Sequence, residues 1–343
     1  MSREFGIYIL TYPGDYHLAQ ALIKSIRYFN PELPIMIIPG TGFNRQEHPF
    51  SGEKIMDDPD DIRWSSLGAY DRLFWIFQGP FDKFLYCDAD LICLKSINGL
   101  IERIKTEKGP FMYVNLPYHG YGLKEDTSDG YDDDRISKIK VGGQIGILDR
   151  LKNFDPEHDV YKSYPFNSGL IASSKETITP EDFFEFRQKE VSFYERILKK
   201  DFDPRQLYEL FYGDQGRLNY LVFKKKIPLK SLYPDAHYRW GGDTFGVSLQ
   251  DVLSGNSPYA FIHWAGCPKP SYSIFASGFL FYFLYKSFGY LRYDYSTNGI
   301  PGLAVWEKFS EPGSILSMTK FSWRDFRSKI WPYLKGWVKR KIF

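Results

Sequence analysis

The stretch FGIYILT at residues 5–11 is followed by the turn residues Pro13, Gly14 and Asp15, and then by YHLAQALIKSIRYF at residues 16–29. The first stretch is apolar and has the length of a buried strand, whereas the last has apolar side chains at helical spacing. This order predicts a strand, a turn and a helix. It is the unit from which parallel sheets covered by helices are built.

Similar segments alternate along the rest of the chain. Strands are predicted at residues 34–38, 84–87, 111–115, 145–148, 169–172 and 259–263, and helices at residues 67–77, 181–198 and 214–223. We therefore predict an α/β fold with a mostly parallel central sheet and helices on both of its faces. Glycine and proline signals after Tyr295 predict a folded domain at residues 1–295, a linker at 296–315 and a tail at 316–343.

The composition is that of a globular protein. Of the 343 residues, 43% are hydrophobic and 25% are charged, which excludes a coiled coil, a collagen and a low-complexity chain. The formal net charge is only +2, so binding to nucleic acid is not expected. Aromatic residues reach 18%, which suits both a packed core and surfaces on which sugars or bases stack.

The cysteines and the apolar segments bear on location. Cys87, Cys93 and Cys267 form no CxxC pair, so we expect neither a disulfide framework nor a structural zinc site, and a cytoplasmic setting. The N-terminus has no signal-peptide pattern. The longest uncharged apolar segment, residues 274–285, has 12 residues, whereas a membrane-spanning helix needs roughly 20. We expect this segment to belong to the core.

Asp-x-Asp pairs occur four times, and only their surroundings distinguish them. Asp88 and Asp90 directly follow the apolar residues 84–87 and precede the apolar residues 91–94, whereas the other pairs lie in polar segments with proline or glycine. Ligands of open α/β sheets bind at the carboxyl ends of strands. Two carboxylates at such a place suit a hard divalent cation that bridges to a phosphate. The alternative is a pair of solvated or helix-capping carboxylates.

His263 differs from the other histidines in its surroundings. It ends the apolar residues 259–262 and opens HWAGCPKP at residues 263–270. Imidazole is a ligand for a metal such as Mn²⁺, Lys269 suits phosphate oxygens, and Gly266 lets a ligand approach the backbone. The alternative is a hydrogen-bonded histidine at a strand end. Together with the Asp88/Asp90 pair, His263 indicates a site for a metal and a diphosphate.

Six stretches, in this order along the chain, resemble glycosyltransferase family 8, which includes glycogenin-like and lipooligosaccharide galactosyltransferase-like enzymes. They are residues 10–16 with Leu10, Thr11 and Tyr16, residues 69–73 with Arg72, LYCDAD at residues 85–90, FNSGL at 166–170, GDQGRLN at 213–219 and HWAGCPKP at 263–270. The resemblance covers most of the chain. It implies the nucleotide-sugar-binding, Rossmann-like GT-A fold for residues 1–295 and a hexosyltransferase activity.

The resemblance also implies a role for each matched residue. Asp88, Asp90 and His263 would hold Mn²⁺, or Mg²⁺ as the alternative, on the diphosphate of a nucleotide sugar, most often a UDP-hexose. The residues that would contact this donor are Leu10, Thr11, Tyr16, Arg72, Ala89, Asn167, Ser168, Gly266 and Lys269. Asp214 and Gln215 would lie beside the anomeric carbon as the catalytic pair, although Asp214 also suits the N-cap of the helix that follows it.

The implied reaction transfers the hexose to a saccharide or glycolipid acceptor with retention of the anomeric configuration. Retention through a short-lived ion pair and retention through a covalent adduct are both compatible with these residues. Two other functions also fit the sequence. One is a sugar-nucleotide phosphatase or nucleotidyltransferase, since a fold does not fix a reaction, and the other is a carbohydrate-binding protein with an inert site.

The C-terminal tail differs in charge from the rest of the chain. Residues 316–343 contain eight Lys or Arg and one Asp, a net charge of +7, whereas the remaining 315 residues have a net charge of −5. Trp and Phe alternate with the basic residues, a composition typical of a segment in the interface of an anionic membrane. A terminal helix packed on the core and a solvated basic end are the alternatives. We expect a peripheral protein on the inner face of a membrane.

Overall fold

A computed structural model describes residues 4–57, 69–115, 154–155, 166–198, 214–240 and 256–263. The chain separates into two compact units, one of Met1–Trp240 with Gly246–Ala265 and one of Gly241–Phe245 with Gly266–Phe343. All the described residues belong to the first unit. Among them, no helix combines the length and the hydrophobicity needed to cross a bilayer.

Strands and helices alternate in the described part of the chain. The strands are β1 (Phe5–Thr11), β2 (Ile35–Pro39), β3 (Lys54–Ile55), β4 (Lys83–Asp88), β5 (Leu91–Cys93), β6 (Met112–Val114), β7 (Leu170–Ser174), β8 (Leu229–Ser231), β9 (Tyr238–Trp240) and β10 (Phe261–His263). The α-helices are α1 (Tyr16–Phe29), α2 (Asn98–Thr106), α3 (Pro180–Leu198) and α4 (Asp214–Lys224). Two 3-10 helices cover Pro13–Asp15 and Ala69–Phe77.

Seven of the strands form the central sheet, in the order β3-β2-β1-β4-β7-β6-β8. β1 lies between β2 and β4 and runs parallel to both, with Leu10 opposite Ile38 on one side and Asp88 on the other. All seven residues of β1 are buried, as expected for a central parallel strand that is covered on both faces. The carboxyl ends of β1, β2 and β4 therefore meet at one edge of the sheet.

β7 runs against its neighbours, antiparallel to β4 and to β6. The other four strand pairs of this sheet are parallel, which confirms the prediction of a mostly parallel sheet. A second sheet has the order β5-β10-β9, with β10 antiparallel to β5. In this smaller sheet, β5, which follows β4 closely along the chain, pairs with β10, which lies near the C-terminal end of the first unit.

A cluster of buried apolar side chains covers the face of the central sheet that carries Tyr8, Leu10 and Tyr86. The 3-10 helix at Ala69–Phe77 packs on this face, and its Trp75 is fully buried. Because each aromatic side chain removes about 150–250 Å² from water, such rings dominate the hydrophobic stabilisation of a core. Helix α1 packs beside β1 and β5.

Most predicted elements are confirmed to within a few residues, and one is wrong in type. The segment predicted as a helix at 67–77 forms a 3-10 helix at Ala69–Phe77. The sequence predictions miss β3, β5, β8 and β9, because strands of two or three residues are too short to show a periodicity, and they also miss the nine-residue helix α2. The predicted strand at 145–148, the linker and the tail lie outside the described residues, so they and the domain boundaries stay predictions.

Candidate active site

Asp88 and Asp90 flank the turn between β4 and β5. Asp88 is the last residue of β4, and its backbone N–H donates to the carbonyl oxygen of Gly169 at 2.7 Å. Asp90 directly precedes β5. Their side chains are 37% and 13% exposed, so both carboxylates are partly withdrawn from water at the edge of the sheet.

Strand β10 places His263 beside the two aspartates. It pairs with β5 so that His263 is opposite Leu91, the neighbour of Asp90. The imidazole is fully buried, and its Nε2 lies 3.1 Å from Oδ1 of Asp90 and 3.7 Å from Oδ2 of Asp88. Asp88, Asp90 and His263, called here the metal-ligand cluster, therefore converge, with their ligand atoms within 4.8 Å of one another.

The charge on the imidazole depends on the two carboxylates. Burial lowers the pKa of His263, but the negative charges of Asp90 and Asp88 beside the ring outweigh burial and raise the pKa from 6.5 to about 9. At neutral pH the metal-free cluster therefore contains an imidazolium between two carboxylates. A divalent cation would displace this proton, since a histidine ligand binds metal in its neutral form.

Gly169 packs directly against the metal-ligand cluster. A methyl group at this position would lie 2.2 Å from Cε1 of His263 and 2.6 Å from Oδ2 of Asp88. Any side chain here would therefore clash with these two residues, and only glycine lets the backbone lie so close to them. Carboxylate oxygens with an imidazole nitrogen form a donor set that suits Mn²⁺, so the residues present fit a divalent metal.

Tyr86 contacts the metal-ligand cluster and is missed by the sequence analysis. Its hydroxyl donates a 2.6 Å hydrogen bond to Oδ1 of Asp88, and the side chain has no exposed surface. Burial, together with the charge of Asp88, raises the pKa of Tyr86 well above its ordinary value, so the hydroxyl stays protonated. The signal is its spacing, because residues two apart on a strand share a face.

Helix α4 begins with Asp214 and Gln215, and Gln215 binds the segment that leads into β7. Its Oε1 accepts hydrogen bonds from Nδ2 of Asn167 at 2.8 Å and from the N–H of Ser168 at 3.4 Å. Asp214 accepts a 2.7 Å hydrogen bond from the N–H of Gln215 at the helix start, where the helix dipole favours negative charge. The structure thus brings these four predicted residues together, and Gly169 links them to the metal-ligand cluster.

Arg72 and Tyr12 lie near the same end of the sheet. The guanidinium of Arg72 stacks 4.1 Å from the centre of the buried ring of Trp75. Burial raises the pKa of Tyr12, and the charges of Asp214 and Asp88 raise it further while Arg72 opposes them. Tyr12, which the sequence analysis does not single out, therefore lies within electrostatic reach of three predicted site residues. Its position directly after β1 is the signal that could have identified it.

The residues predicted to contact the nucleotide base lie at the end of β1 and the start of α1. Leu10 and Thr11 are 6% and 0% exposed. The hydroxyl of Tyr16 donates to the carbonyl oxygen of Pro49 and accepts from Nε2 of Gln20 at 2.6 Å. Its ring packs against three others, those of Phe43, His48 and Phe50. The contact of these residues with a base stays a prediction.

Three predicted donor contacts remain to be placed. Ala89 is buried in the turn between the two aspartates. Gly266 and Lys269 lie outside the described residues. Their predicted contacts with the donor phosphates therefore stay predictions.

Comparison with known proteins gives a likeness in fold. No family model and no curated protein matches the sequence. The crystal structure of the galactosyltransferase LgtC with donor and acceptor sugar analogs has a TM-score of 0.51 at 17% identity, over 85% of this chain and 99% of that chain. The glycosyltransferase GlyE of Streptococcus pneumoniae TIGR4 has a TM-score of 0.46 at 17% identity, over 90% of this chain and 64% of that chain. The likeness to LgtC shows that this chain has the GT-A fold, as its resemblance predicts.

Proposed function

We propose that the chain is a metal-dependent, retaining glycosyltransferase that moves a hexose from a UDP-sugar to a saccharide or glycolipid acceptor. The observation that carries the proposal is the convergence of Asp88, Asp90 and His263 at the carboxyl end of β4 in a GT-A fold. LgtC, crystallised with donor and acceptor sugar analogs, supports the substrate class by analogy of fold.

The metal-ligand cluster would hold Mn²⁺, or Mg²⁺ as the alternative, and the bound cation neutralises the charge of the departing diphosphate. Arg72 adds a positive charge whose direction is fixed by its stack on Trp75. A fixed charge is effective because it needs no reorganisation when the leaving group develops its own charge. Lys269 and the backbone at Gly266 are proposed as further phosphate contacts.

Asp214 and Gln215 are proposed to act at the anomeric carbon. Transfer breaks the bond from this carbon to the diphosphate oxygen and forms a bond to the acceptor hydroxyl oxygen, whose proton passes to the diphosphate or to solvent. The carbon becomes positively charged on the way. Asn167 and Ser168 hold Oε1 of Gln215 in place by hydrogen bonds, and an oxygen so fixed can stabilise that charge.

Incubation of the full chain with Mn²⁺ and a panel of nucleotide sugars tests the proposal. We expect slow release of UDP from one UDP-hexose, which EDTA abolishes. Cleavage within the diphosphate would instead identify a sugar-nucleotide phosphatase or nucleotidyltransferase. An absence of turnover with every donor would identify a carbohydrate-binding protein.

We also propose that residues 316–343 hold the protein on the cytoplasmic face of an anionic membrane. The net charge of +7 and the alternating aromatic residues of this tail support the proposal. Deletion of the residues after Leu316 should abolish sedimentation with anionic liposomes and leave donor hydrolysis intact. Sedimentation that survives the deletion would contradict it.

A further inference from the structure

We propose that Tyr86 is a positioning residue: its hydroxyl orients the carboxylate of Asp88 so that one oxygen binds the protein and the other faces the metal. The tyrosine hydroxyl holds one oxygen of this carboxylate, so the other oxygen is the better ligand for a cation. The inference rests on the proposed function. It extends that function from the residues that bind a metal to the kind of metal that the site accepts.

The two oxygens of Asp88 face different partners. Oδ1 accepts the hydrogen bond from Tyr86 at 2.6 Å, whereas Oδ2 lies 3.7 Å from Nε2 of His263. Tyr86 precedes Asp88 by two residues on β4, so both side chains lie on the same face of the strand. A carboxylate turned in this way directs Oδ2, and not both oxygens, toward His263, the other side of the metal-ligand cluster.

Tyr86 is held firmly enough to impose this orientation. It lies in the centre of the sheet, opposite Tyr8 of β1 on one side and Ile171 of β7 on the other. Its side chain is fully buried, so water does not compete for the hydroxyl. Hydrogen bonds from a hydroxyl to a carboxylate are short and about twice as strong as those between neutral groups.

Binding through a single oxygen of Asp88 selects among cations. Ca²⁺ takes six to eight oxygen ligands and often binds both oxygens of a carboxylate, whereas Mg²⁺ and Mn²⁺ favour six ligands in an octahedron. The hydrogen bond from Tyr86 takes up a lone pair of Oδ1 and makes this oxygen a weaker ligand for the second bond that Ca²⁺ would form. The geometry therefore favours the smaller, six-coordinate ions and disfavours Ca²⁺.

Tyr86→Phe removes only the hydroxyl and tests the inference, with Tyr8→Phe as the matched control. Tyr8 is equally buried and lies opposite Tyr86, but its hydroxyl accepts from the N–H of Phe81 at 3.1 Å. Binding of Mn²⁺ alone to the full chain is measured by the electron paramagnetic resonance signal of free Mn²⁺, and Ca²⁺ binding by competition. We expect Tyr86→Phe to weaken Mn²⁺ binding about tenfold or more, as loss of such supporting contacts does elsewhere.

The same variant should narrow the preference for Mn²⁺ over Ca²⁺, because Oδ1 becomes available. Tyr8→Phe should leave both affinities within about twofold of the wild type, since no carboxylate loses its donor. Equal Mn²⁺ affinity in Tyr86→Phe and the wild type would overturn the inference, and so would an equal loss in the two variants.

Circular dichroism establishes whether the variants fold. If Tyr86→Phe does not fold, the inference is tested on the wild-type chain. Ca²⁺ binding as tight as Mn²⁺ binding would overturn the inference, and a clear preference for Mn²⁺ would support it. A wild-type chain that shows this preference but releases UDP from no donor would contradict the proposed function and leave the role of Tyr86 standing. A wild-type chain that binds no Mn²⁺ would overturn both.

Discussion

Two groups of charged side chains in this chain differ in whether they need a bound cation to balance their charge. The metal-ligand cluster lies at strand ends and combines two acids with one base. The second group, called here the arginine cluster, lies where α3 meets α4 and combines Glu190 with Arg187 and Arg217. Glu190 and Arg217 are 0% and 1% exposed, and Nε of Arg217 lies 3.1 Å from Oε1 of Glu190.

The comparison shows what separates a binding site from a structural ion pair. Buried charges are tolerated only when they are paired, and both groups meet this condition within the chain. With its imidazole protonated, however, the metal-ligand cluster keeps an excess of negative charge, whereas the arginine cluster has an excess of positive charge. The ligand atoms of the first group also lie within 4.8 Å of one another. Excess negative charge on converging ligand atoms is what a cation needs.

The largest expected effect is the loss of turnover when the metal-ligand cluster loses a charge. Asp90→Asn should lower UDP release on the order of 1,000-fold, because a bound metal contributes several kcal/mol to stabilising the leaving group. Asp82→Asn is the control, since Asp82 is 53% exposed and pairs with Lys175 away from the cluster. Similar turnover in the two variants would remove the distinction between this cluster and an ordinary ion pair.

A substitution in the arginine cluster should lower the stability of the fold and leave Mn²⁺ binding unchanged. Glu190→Gln removes a carboxylate that pairs with the buried Arg217, so the free energy of unfolding should fall by about 3–5 kcal/mol in urea denaturation. Glu185→Gln breaks a pair with Lys224 in which the glutamate is 71% exposed, and should cost less than about 1 kcal/mol. If folded Glu190→Gln bound Mn²⁺ more weakly than the wild type, the arginine cluster would not be a purely structural group.

A single methyl group at Gly169 would displace ligands of the metal-ligand cluster. Gly169→Ala places Cβ against His263 and Asp88, so Mn²⁺ should bind about 10–100-fold more weakly in calorimetric titration. Gly14→Ala is the matched control, because a Cβ there meets nothing within 4 Å. Unchanged affinity in Gly169→Ala would show that Mn²⁺ binding does not depend on the position of these two ligands.

The last expected effect is a dependence of the stability of the fold on pH, which arises in the metal-ligand cluster. Folding raises the pKa of His263 from 6.5 to about 9 in the metal-free chain. Its ion pairs therefore stabilise the fold fully below about pH 6.5, and this contribution is lost as the pH rises through about 9. Melting in EDTA across this range measures the loss.

Mn²⁺ should show the opposite trend. Because the cation and the proton compete for the imidazole, Mn²⁺ affinity should rise by up to about tenfold per pH unit until the pH nears 9. An affinity that does not change with pH would show that the metal and the proton do not share His263.

The aspartates of the site could be predicted from local sequence. Asp88 and Asp90 interrupt an apolar run, and this interruption marks the end of a buried strand whatever the rest of the chain does. Asp214 and Gln215 could be placed for a similar reason, because the apolar spacing of the following residues fixes the start of α4. The end of β4 and the start of α4 depend only on neighbouring residues and are confirmed, whereas the roles of these four residues stay predictions.

Other features depend on pairings between distant segments. The pairing of β5 with β10 puts His263 beside Asp90, but neither three-residue strand reveals its partner. The direction of β7 is likewise absent from its sequence, since alternation is the same in parallel and antiparallel strands. Over the nine residues of the 3-10 helix, a repeat of 3.0 is hard to tell from one of 3.6. Tyr86 is missed because it lies within the apolar residues 84–87, and the sequence does not show that its hydroxyl contacts Asp88.

The pairing of β5 with β10 has a consequence for the order in which the protein is made. On the ribosome, both aspartates emerge long before residues 261–263, so the nascent chain holds the acids of the site without its base. The metal-ligand cluster is complete only when the later strand has been synthesised and has joined the earlier one. A polypeptide released before residue 261 would contain all seven strands of the central sheet and lack the histidine of the metal-ligand cluster.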